Sequence, residues 1–333
     1  MRMRVADRFF CAILPFLITV GCDGKQSNVP ERPAGPPVVV YAARDAAFIQ
    51  SVLDAYSKET GVRVLLTTET SRALINKLGA EKHRSTADLV IADGIGHLWR
   101  AASNDILRPS NSELLKSKIP KHLRDSENLW FALLVSGRAI AYDKRSLDSR
   151  ELTNYAALGD ERWREKLCLS SATNTDNQSQ IAMMIAEHGD QPTELIVRSW
   201  IANLAISVVA DSATLLKEIE EGRCSLGIVS SVDAARHARE APDSSVALFW
   251  PQETYIDVVA AAVTRHAGNP AGALQVLEWL WSDKGQKLLA AEKLEYAASQ
   301  ELPFESISSV DLAGAGYYLE DAVRLMERAH YRH

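Results

Sequence analysis

The sequence predicts an α/β protein in which parallel strands alternate with helices. Short runs of valine, isoleucine, leucine and alanine alternate with longer segments whose apolar residues recur every three or four positions. A proline-rich segment precedes the first apolar run and leaves about 296 residues, 38–333, for the folded part. That length is too great for one compact core, so we expect two lobes.

The first lobe begins with three predicted strands joined by two predicted helices. The strands are 38–41, 62–67 and 88–92, and the first helix is 45–59, with a second helix around 74–78. Gly61 is expected to end the first helix, because glycine adopts the left-handed conformation of a helix C-terminus. This βαβαβ order is typical of half a doubly wound sheet, which binds ligands beyond the carboxyl ends of its strands.

A second set of elements follows Trp130. Strands are predicted near 166–170, 206–209 and 225–230, and helices near 178–188, 192–204 and 212–221. Residues 246–251 then return to the first lobe, which continues with a strand at 256–264 and an amphipathic helix at 270–281. We therefore predict a discontinuous first lobe, 38–132 with 252–333, a second lobe, 133–251, and hinge segments near 133–142 and 246–254.

The N-terminus predicts export and a lipid anchor at Cys22. Residues 1–8 carry three arginines, residues 9–20 form an apolar run too short to span a membrane, and Gly21 precedes Cys22. A plain secretory signal or a short anchor is the alternative, because Thr19 stands where lipid-modification sequences usually have leucine. Residues 23–37 contain four prolines and are expected to form a flexible tether.

Composition and cysteine content limit the function further. The chain is 47% hydrophobic and 24% charged with a net charge of -6, which describes a globular protein without the basic surface that binds nucleic acid. After removal of Cys11 and lipidation of Cys22, two thiols are left, Cys168 and Cys224. Outside the cytoplasm this pair predicts a disulfide, with two buried free thiols as the alternative.

Several motifs in this order resemble the iron(III)-binding subfamily of periplasmic solute-binding proteins of ABC importers. The resemblance covers most of 38–300 and is carried by Tyr41-Ala42-Ala43-Arg44, Thr60-Gly61-Val62, Ala87-Asp88-Leu89-Val90, Leu98-Trp99-Arg100, Asn177-Gln178-Ser179, Phe249-Trp250-Pro251 and Thr264-Arg265-His266. It implies a two-lobed type II periplasmic-binding-protein fold with a ligand cleft and a crossing-strand hinge.

The family's iron ligands are absent from the matching positions. The resemblance places a histidine or tyrosine after the first strand and tyrosines in the second lobe, whereas this chain has Asp45, Asp176 and Asp233 there. Phenolates suit ferric ion, while carboxylates suit a hard cation with oxygen ligands or a cationic organic solute. We therefore predict that these three aspartates bind a metal cation, iron or another hard cation, in the cleft. No other cofactor is predicted.

Each aspartate has an alternative role as a helix N-cap, since each lies at the start of a predicted helix. Arg44 and Arg138 fall where the family has arginines near the cleft. Either could pair with the aspartates or hold a counter-anion, and a surface or inter-lobe salt bridge is an equal alternative. Tyr255 could supply a phenol to the cleft or simply pack at the hinge. Tyr317 and Tyr318 belong to a C-terminal segment that the resemblance places on the outside.

These observations favour a receptor over an enzyme. The expected protein is a monomer anchored by lipid to the membrane, in the periplasm or on the cell surface, that delivers a metal or small solute to an ABC importer permease. A sensor or scaffold that has lost its ligand is the alternative. The sequence has no Gly-x-Ser-x-Gly motif, phosphate loop or Cys/His pairing that would favour an enzyme.

Overall fold

The computed structural model describes residues 35–291, 295–304 and 306–332. The predicted signal segment, Cys22 and all but the last residues of the predicted tether lie outside these ranges. Among the described residues, no helix has both the length and the apolar character needed to cross a membrane.

Strands and helices alternate along the chain as the sequence predicts. The strands are β1 (Val38–Ala42), β2 (Val64–Thr68), β3 (Leu89–Asp93), β4 (Phe131–Asp143), β5 (Leu167–Cys168), β6 (Leu226–Ser230), β7 (Val246–Phe249), β8 (Ile256–Val263) and β9 (Tyr296–Ala297). The helices are α1 (Ala46–Thr60), α2 (Ser71–Glu81), α3 (Ile95–Ser103), α4 (Glu113–Lys118), α5 (Thr175–His188), α6 (Asp190–Ala202), α7 (Ser212–Glu220), α8 (Ser231–Glu240), α9 (Pro270–Leu280), α10 (Asp283–Leu289), α11 (Leu312–Ala315) and α12 (Leu319–Arg328).

The strands form a mixed sheet in the order β2-β1-β3-β8-β4-β6-β5, with β7 and β9 also pairing with β4. Strand β1 is parallel to β2 and β3, whereas β8 is antiparallel to both β3 and β4. Strands β1, β3 and β8 are almost wholly buried, as expected where helices cover both faces of a parallel sheet.

Strand β4 crosses from one part of the molecule to the other. Its first half, 131–137, pairs with β8, and its second half, 138–143, pairs with β6 and β7. We call the part built on β1, β2, β3 and β8 the first lobe, and the part built on β5, β6 and β7 the second lobe. The crossing strand lies where the sequence predicts a hinge, and the exact lobe boundaries stay a prediction.

Helix α1 shows how local sequence sets these elements. Ile49, Val52, Leu53 and Tyr56 form its buried stripe. The helix ends as predicted at Gly61, which has a φ of 76° and donates its backbone N–H to the carbonyl of Ser57 at 2.9 Å. A left-handed residue at this position favours glycine, because a side chain would be strained there.

The predicted strand at 206–209 is wrong. Within this segment only Val209 forms an isolated bridge among the described residues, and its partner Ser170 lies beyond the end of β5. Because β5 itself is two residues long, it offers too few backbone partners to align a neighbouring strand.

The predicted disulfide is present. Cys168 ends β5 and Cys224 lies just before β6, and their sulfurs are bonded with the Cα atoms 5.9 Å apart. Strand β5 is parallel to β6, with Cys168 opposite Gly227, and the segment just before β6 brings Cys224 back to Cys168. Cys168 is fully buried and Cys224 nearly so, so the bond lies inside the second lobe.

The C-terminal segment does not pack only on the outside. It contacts α3 of the first lobe, and α12 also packs against α5 and α6 of the second. Arg328 of α12 pairs with Asp190 at 2.8 Å and with Glu194 at 2.7 Å, which fixes this helix to α6. The segment therefore connects the two lobes beside the cleft.

Candidate functional site

The carboxyl ends of β1, β2 and β3 border an open cavity of about 740 Å³. Helices α1, α2 and α3 begin at this edge, because each follows one of these parallel strands. Asp45, Ser71 and Asp93 of the first lobe line the cavity, and so does Thr175 of the second. The cavity thus lies between the lobes, where open α/β sheets bind ligands.

Asp45 is the N-cap of α1, which was the alternative to a ligand role. Its Oδ1 accepts a hydrogen bond from the backbone N–H of Phe48 at 2.8 Å, and the residue is exposed. Asp45 also lines the cavity between the lobes. Because the cap uses Oδ1, the other carboxylate oxygen is available to a ligand.

Asp176 lies in the first turn of α5 and pairs with Arg138. The guanidinium of Arg138 is 3.4 Å from the Asp176 carboxylate and also donates to Gln180 at 3.0 Å and to Asn177 at 2.5 Å. Arg138 is 3% exposed on the crossing strand β4. The sequence therefore located an arginine near the aspartates, and the structure brings Arg138 and Asp176 together.

Asp233 lies in the first turn of α8, where Ser230 rather than Asp233 is the N-cap. Its carboxylate pairs with Arg236 at 2.6 Å. Burial raises the pKa of Asp233 above its ordinary value, and the negative charge of Asp176 acts in the same direction. Asp176 and Asp233 therefore lie close enough to repel each other when both are ionised.

The three predicted ligands are not gathered around one point in this conformation. In the described ranges, no group of three or more His, Cys, Asp or Glu side chains is arranged to hold a metal ion. Asp45 belongs to the first lobe and the other two to the second, so the distance between them depends on how far the cleft closes.

Arg44 and Tyr255 use their polar groups elsewhere. Arg44 forms a bidentate salt bridge with Glu295 instead of pairing with the aspartates. Its two terminal guanidinium nitrogens donate to the two carboxylate oxygens at 3.0 and 2.5 Å. Tyr255 is buried, stacks on Tyr155 with ring centroids 5.1 Å apart, and donates its hydroxyl to Glu187 at 2.7 Å. Tyr255 therefore packs at the hinge and its phenol oxygen faces Glu187.

Asp257 is a carboxylate that the sequence reasoning missed. It lies on β8 beside the crossing strand, and its Oδ1 accepts backbone N–H groups of Ile95 and Val258 at 3.0 and 2.8 Å. Burial, followed by the charge of Asp176, raises its pKa to about 7. A single charged residue inside the apolar run 256–263 was the signal that could have identified it.

A smaller cavity of about 340 Å³ adjoins the first and shares Arg72, His97 and Thr175 with it. Arg100 and the C-terminal helix α12 also line this cavity. Arg72 on α2 and Arg100 on α3 were not predicted, because the sequence does not show that the two helices place them on one cavity.

Comparison with known proteins identifies the family. Residues 38–292 match the model of the bacterial extracellular solute-binding protein family. Iron uptake protein A1 of Synechocystis is 25% identical over 296 residues, which cover 86% of this chain and 81% of that protein. The major ferric iron-binding protein of Neisseria meningitidis serogroup A is 22% identical over 277 residues, covering 79% and 81%.

Solved structures agree with these sequence matches. The Trichodesmium protein IdiA (FutA), in complex with iron and citrate ligands, superposes with a TM-score of 0.84 and 28% identity over 89% of this chain and all of that one. The Bordetella ferric binding protein gives a TM-score of 0.81 and 27% identity, with the same coverage. The two-lobed fold that the resemblance implied is therefore confirmed.

The family match covers three quarters of the chain, and the relatives named above are iron uptake and ferric-iron-binding proteins. Sequence motifs, crossing-strand topology and the cavity between the lobes agree with this assignment. The chain belongs to the bacterial extracellular solute-binding protein family, and it is a binding protein rather than an enzyme.

Proposed function

We propose that this protein is the receptor of an ABC importer and captures a hard metal cation, iron or another, in the cleft between its lobes. The observation that carries the proposal is the match over nearly the whole folded part to iron-binding relatives, one of which holds iron and citrate. The lobes are 38–132 with 252–333, and 133–251.

The cleft supplies oxygen atoms, which hard cations prefer. Asp45 on the first lobe would act together with Asp176 and Asp233 on the second, and Asp93 lines the same cavity. A cation between Asp176 and Asp233 would offset the repulsion that helps to raise the pKa of Asp233. Binding would favour the closed arrangement in which both lobes contact the ion.

Cys22 would carry the lipid anchor, after removal of residues 1–21, and residues 23–37 would connect it to the folded part. The receptor would then lie in the periplasm or on the cell surface, as a monomer that contacts the membrane through its lipid and docks on an importer permease. The disulfide between Cys168 and Cys224 supports a location outside the reducing cytoplasm.

A cationic organic solute, or a sensor or scaffold that no longer binds a ligand, is the second candidate. The sensor or scaffold is favoured by the ion pairs of Asp176 with Arg138 and of Asp233 with Arg236, which already offset the charge of both predicted ligands. A metal would have to compete with these arginines or share the carboxylates with them.

Metal titration of the full chain, purified and stripped with EDTA, tests the proposal. Fe(III) supplied without an organic acid, Fe(II), Mn²⁺ and Ca²⁺ are added separately, and the thermal midpoint is read. One metal is expected to raise the midpoint, because selective binding to the folded state stabilises it. The rise should disappear in Asp176→Asn/Asp233→Asn and persist in the control Asp54→Ala/Asp243→Ala, which changes two exposed aspartates. No shift with any metal would exclude the metal function.

A further inference from the structure

The first lobe has an edge opposite the cleft, at the amino ends of β1, β2 and β3. Because β8 is antiparallel to β3, with Leu89 opposite Val263, the carboxyl end of β8 lies at this edge as well. Basic side chains that the cleft does not use are clustered here. We call this cluster the basic edge; it consists of Arg63, Lys82, Arg84, Arg108, Arg265 and His266.

Tertiary contacts bring these residues to one edge. Arg63 precedes β2, and its carbonyl accepts the N–H of Val38 at 3.0 Å. The N–H of Arg108 donates to the carbonyl of the last residue of β8 at 3.1 Å. Lys82 and Arg265 line one cavity of about 250 Å³. The cluster is thus assembled from segments far apart in the chain, and composition does not show it.

Most of this positive charge is not offset by the protein. Arg63, Lys82 and Arg84 are exposed, and within the described ranges their side chains make no hydrogen bond or ion pair. Asp105, an acidic residue at the same edge, pairs with Arg265 at 3.4 Å. A cluster of unpaired cations on a chain whose net charge is -6 favours an anionic partner at this edge.

The chain enters the first lobe at the basic edge. Asn269, in the loop after β8, donates its side-chain amide to the carbonyl of Pro36 at 3.1 Å. Asp88, which is buried, accepts the N–H groups of Val39 and Asn269 at 2.9 and 2.7 Å. The chain between Cys22 and Pro36 can span at most about 50 Å. A lipid at Cys22 would therefore hold the basic edge within that distance of the membrane.

The cavity at the basic edge suits a phosphate group. Lys82 and Arg265 supply positive charge to it, and Ser85 and Asn104 line it with uncharged polar groups. Ammonium and guanidinium groups are the usual protein partners of phosphates. An anionic lipid surface presents many such groups side by side, so the cavity and the exposed cations around it can be engaged together.

We propose that the basic edge binds the anionic phosphate head groups of a membrane surface. The proposal goes beyond the receptor function and uses only its anchor at Cys22. Nucleic acid carries the same charge, but the anchor brings lipid, not nucleic acid, to this edge. Because the cleft lies at the other end of the same strands, contact at the basic edge leaves the cleft uncovered.

Flotation of the EDTA-stripped full chain with vesicles, without metal, tests the inference. Vesicles of equal parts phosphatidylglycerol and phosphatidylcholine are compared with vesicles of phosphatidylcholine alone. Lys82→Gln/Arg84→Gln is expected to weaken partition into the anionic vesicles about tenfold or more, because each basic residue near an anionic surface contributes to binding. The control Arg164→Gln/Lys217→Gln removes the same charge from exposed side chains of the second lobe and should leave partition unchanged.

Residues 1–22 are the same in all these proteins, so any vesicle binding through them cancels in the comparison. The variant at Lys82 and Arg84 is expected to fold, because these side chains have no partner among the described residues, and its thermal midpoint checks this. Partition equal to that of wild type, or equal weakening in the control, would overturn the basic edge as the contact.

Hydrogen exchange locates the contact on the protein. Exchange over 82–86 and 264–268 should slow on the anionic vesicles and not on the neutral ones, and high salt should abolish the difference. Equal slowing on both kinds of vesicle would contradict a charge-driven contact. Equal slowing by inorganic phosphate alone would overturn the lipid assignment in favour of a free anion. Binding to a duplex DNA oligonucleotide as tight as binding to the anionic vesicles would overturn it in favour of nucleic acid.

The metal titration stands apart from these experiments. Metal binding together with unchanged partition of Lys82→Gln/Arg84→Gln would support the receptor function and contradict the lipid contact. Weakened partition of this variant without any metal effect would do the reverse.

Discussion

Arg138 and Asp176 link the crossing strand to the first turn of α5, with 3.4 Å between guanidinium and carboxylate. The arginine is buried on β4, whereas 40% of the aspartate side chain is exposed. The same guanidinium holds Asn177 and Gln180, so one side chain orients the turn that carries a predicted ligand. The position of Asp176 is therefore tied to the crossing strand through Arg138.

Arg138→Ala is expected to lower the free energy of unfolding by about 2–5 kcal/mol, because buried oxygens of Asn177 and Gln180 lose their donor. Urea denaturation measures the change. Arg150→Ala removes an arginine that is 88% exposed and pairs with a neighbouring aspartate, and no measurable loss is expected there. Equal effects of the two substitutions would mean that the buried contacts contribute nothing.

Asp257→Asn is expected to make stability less dependent on pH. The pKa of Asp257 is about 7 in the folded state and near 3.8 in the unfolded chain, so the folded state retains the proton longer. The stabilisation by the protonated group is complete below about pH 4 and is lost as pH rises through about 7. Asparagine keeps the acceptor for the Ile95 N–H but cannot ionise.

Urea denaturation at pH 4.5, 6 and 8 measures this effect on wild type and Asp257→Asn. Relative to the variant, wild type should lose about 3 kcal/mol between pH 4.5 and pH 8, since one pKa unit corresponds to about 1.4 kcal/mol. A stability difference that stays constant with pH would contradict the shifted pKa.

Cys168→Ser/Cys224→Ser is expected to reduce the free energy of unfolding by about 2–4 kcal/mol, because the bond restricts a loop of 56 residues in the unfolded chain. Denaturation with and without a thiol-free reductant measures the loss. The reductant should destabilise wild type and leave the variant unchanged, which controls for effects on Cys11 and Cys22. A variant as stable as wild type would show that the second lobe does not depend on the bond.

Gly316→Ala is expected to loosen the C-terminal segment from the first lobe. A Cβ at Gly316 would lie 2.2 Å from the Cβ of Trp99. Because that Cβ is bonded directly to the backbone of α3, it cannot rotate away from the new methyl group. Overpacking of this kind costs about 1–3 kcal/mol. Hydrogen exchange should rise over 312–332, whereas Gly314→Ala, whose Cβ would lie 3.0 Å from the Asp311 carboxylate, is expected to change exchange less. Protection that persists in Gly316→Ala would contradict the tight contact.

The candidate site was only partly predictable. Asp176 and Arg138 were both identified from the resemblance, and they meet in the structure. Arg44 could have paired with the aspartates or formed a salt bridge elsewhere, and it pairs with Glu295, which is 251 residues away in the sequence. No local pattern indicates such a partner, because it depends on how the chain returns to the first lobe.

The sequence by itself determined the fold class, most of the order of strands and helices and the stop at Gly61, and it gave the cap at Asp45 and the disulfide as alternatives between which the structure decided. These features follow from periodicity and capping over a few residues, or from a count of thiols. Tertiary structure alone decided that Arg72, Arg100 and α12 border one cavity, and that Asp257 is buried where the charge of Asp176 acts on it. Their positions depend on packing between segments far apart in the chain, where burial and neighbouring charges, not local pattern, set the chemistry.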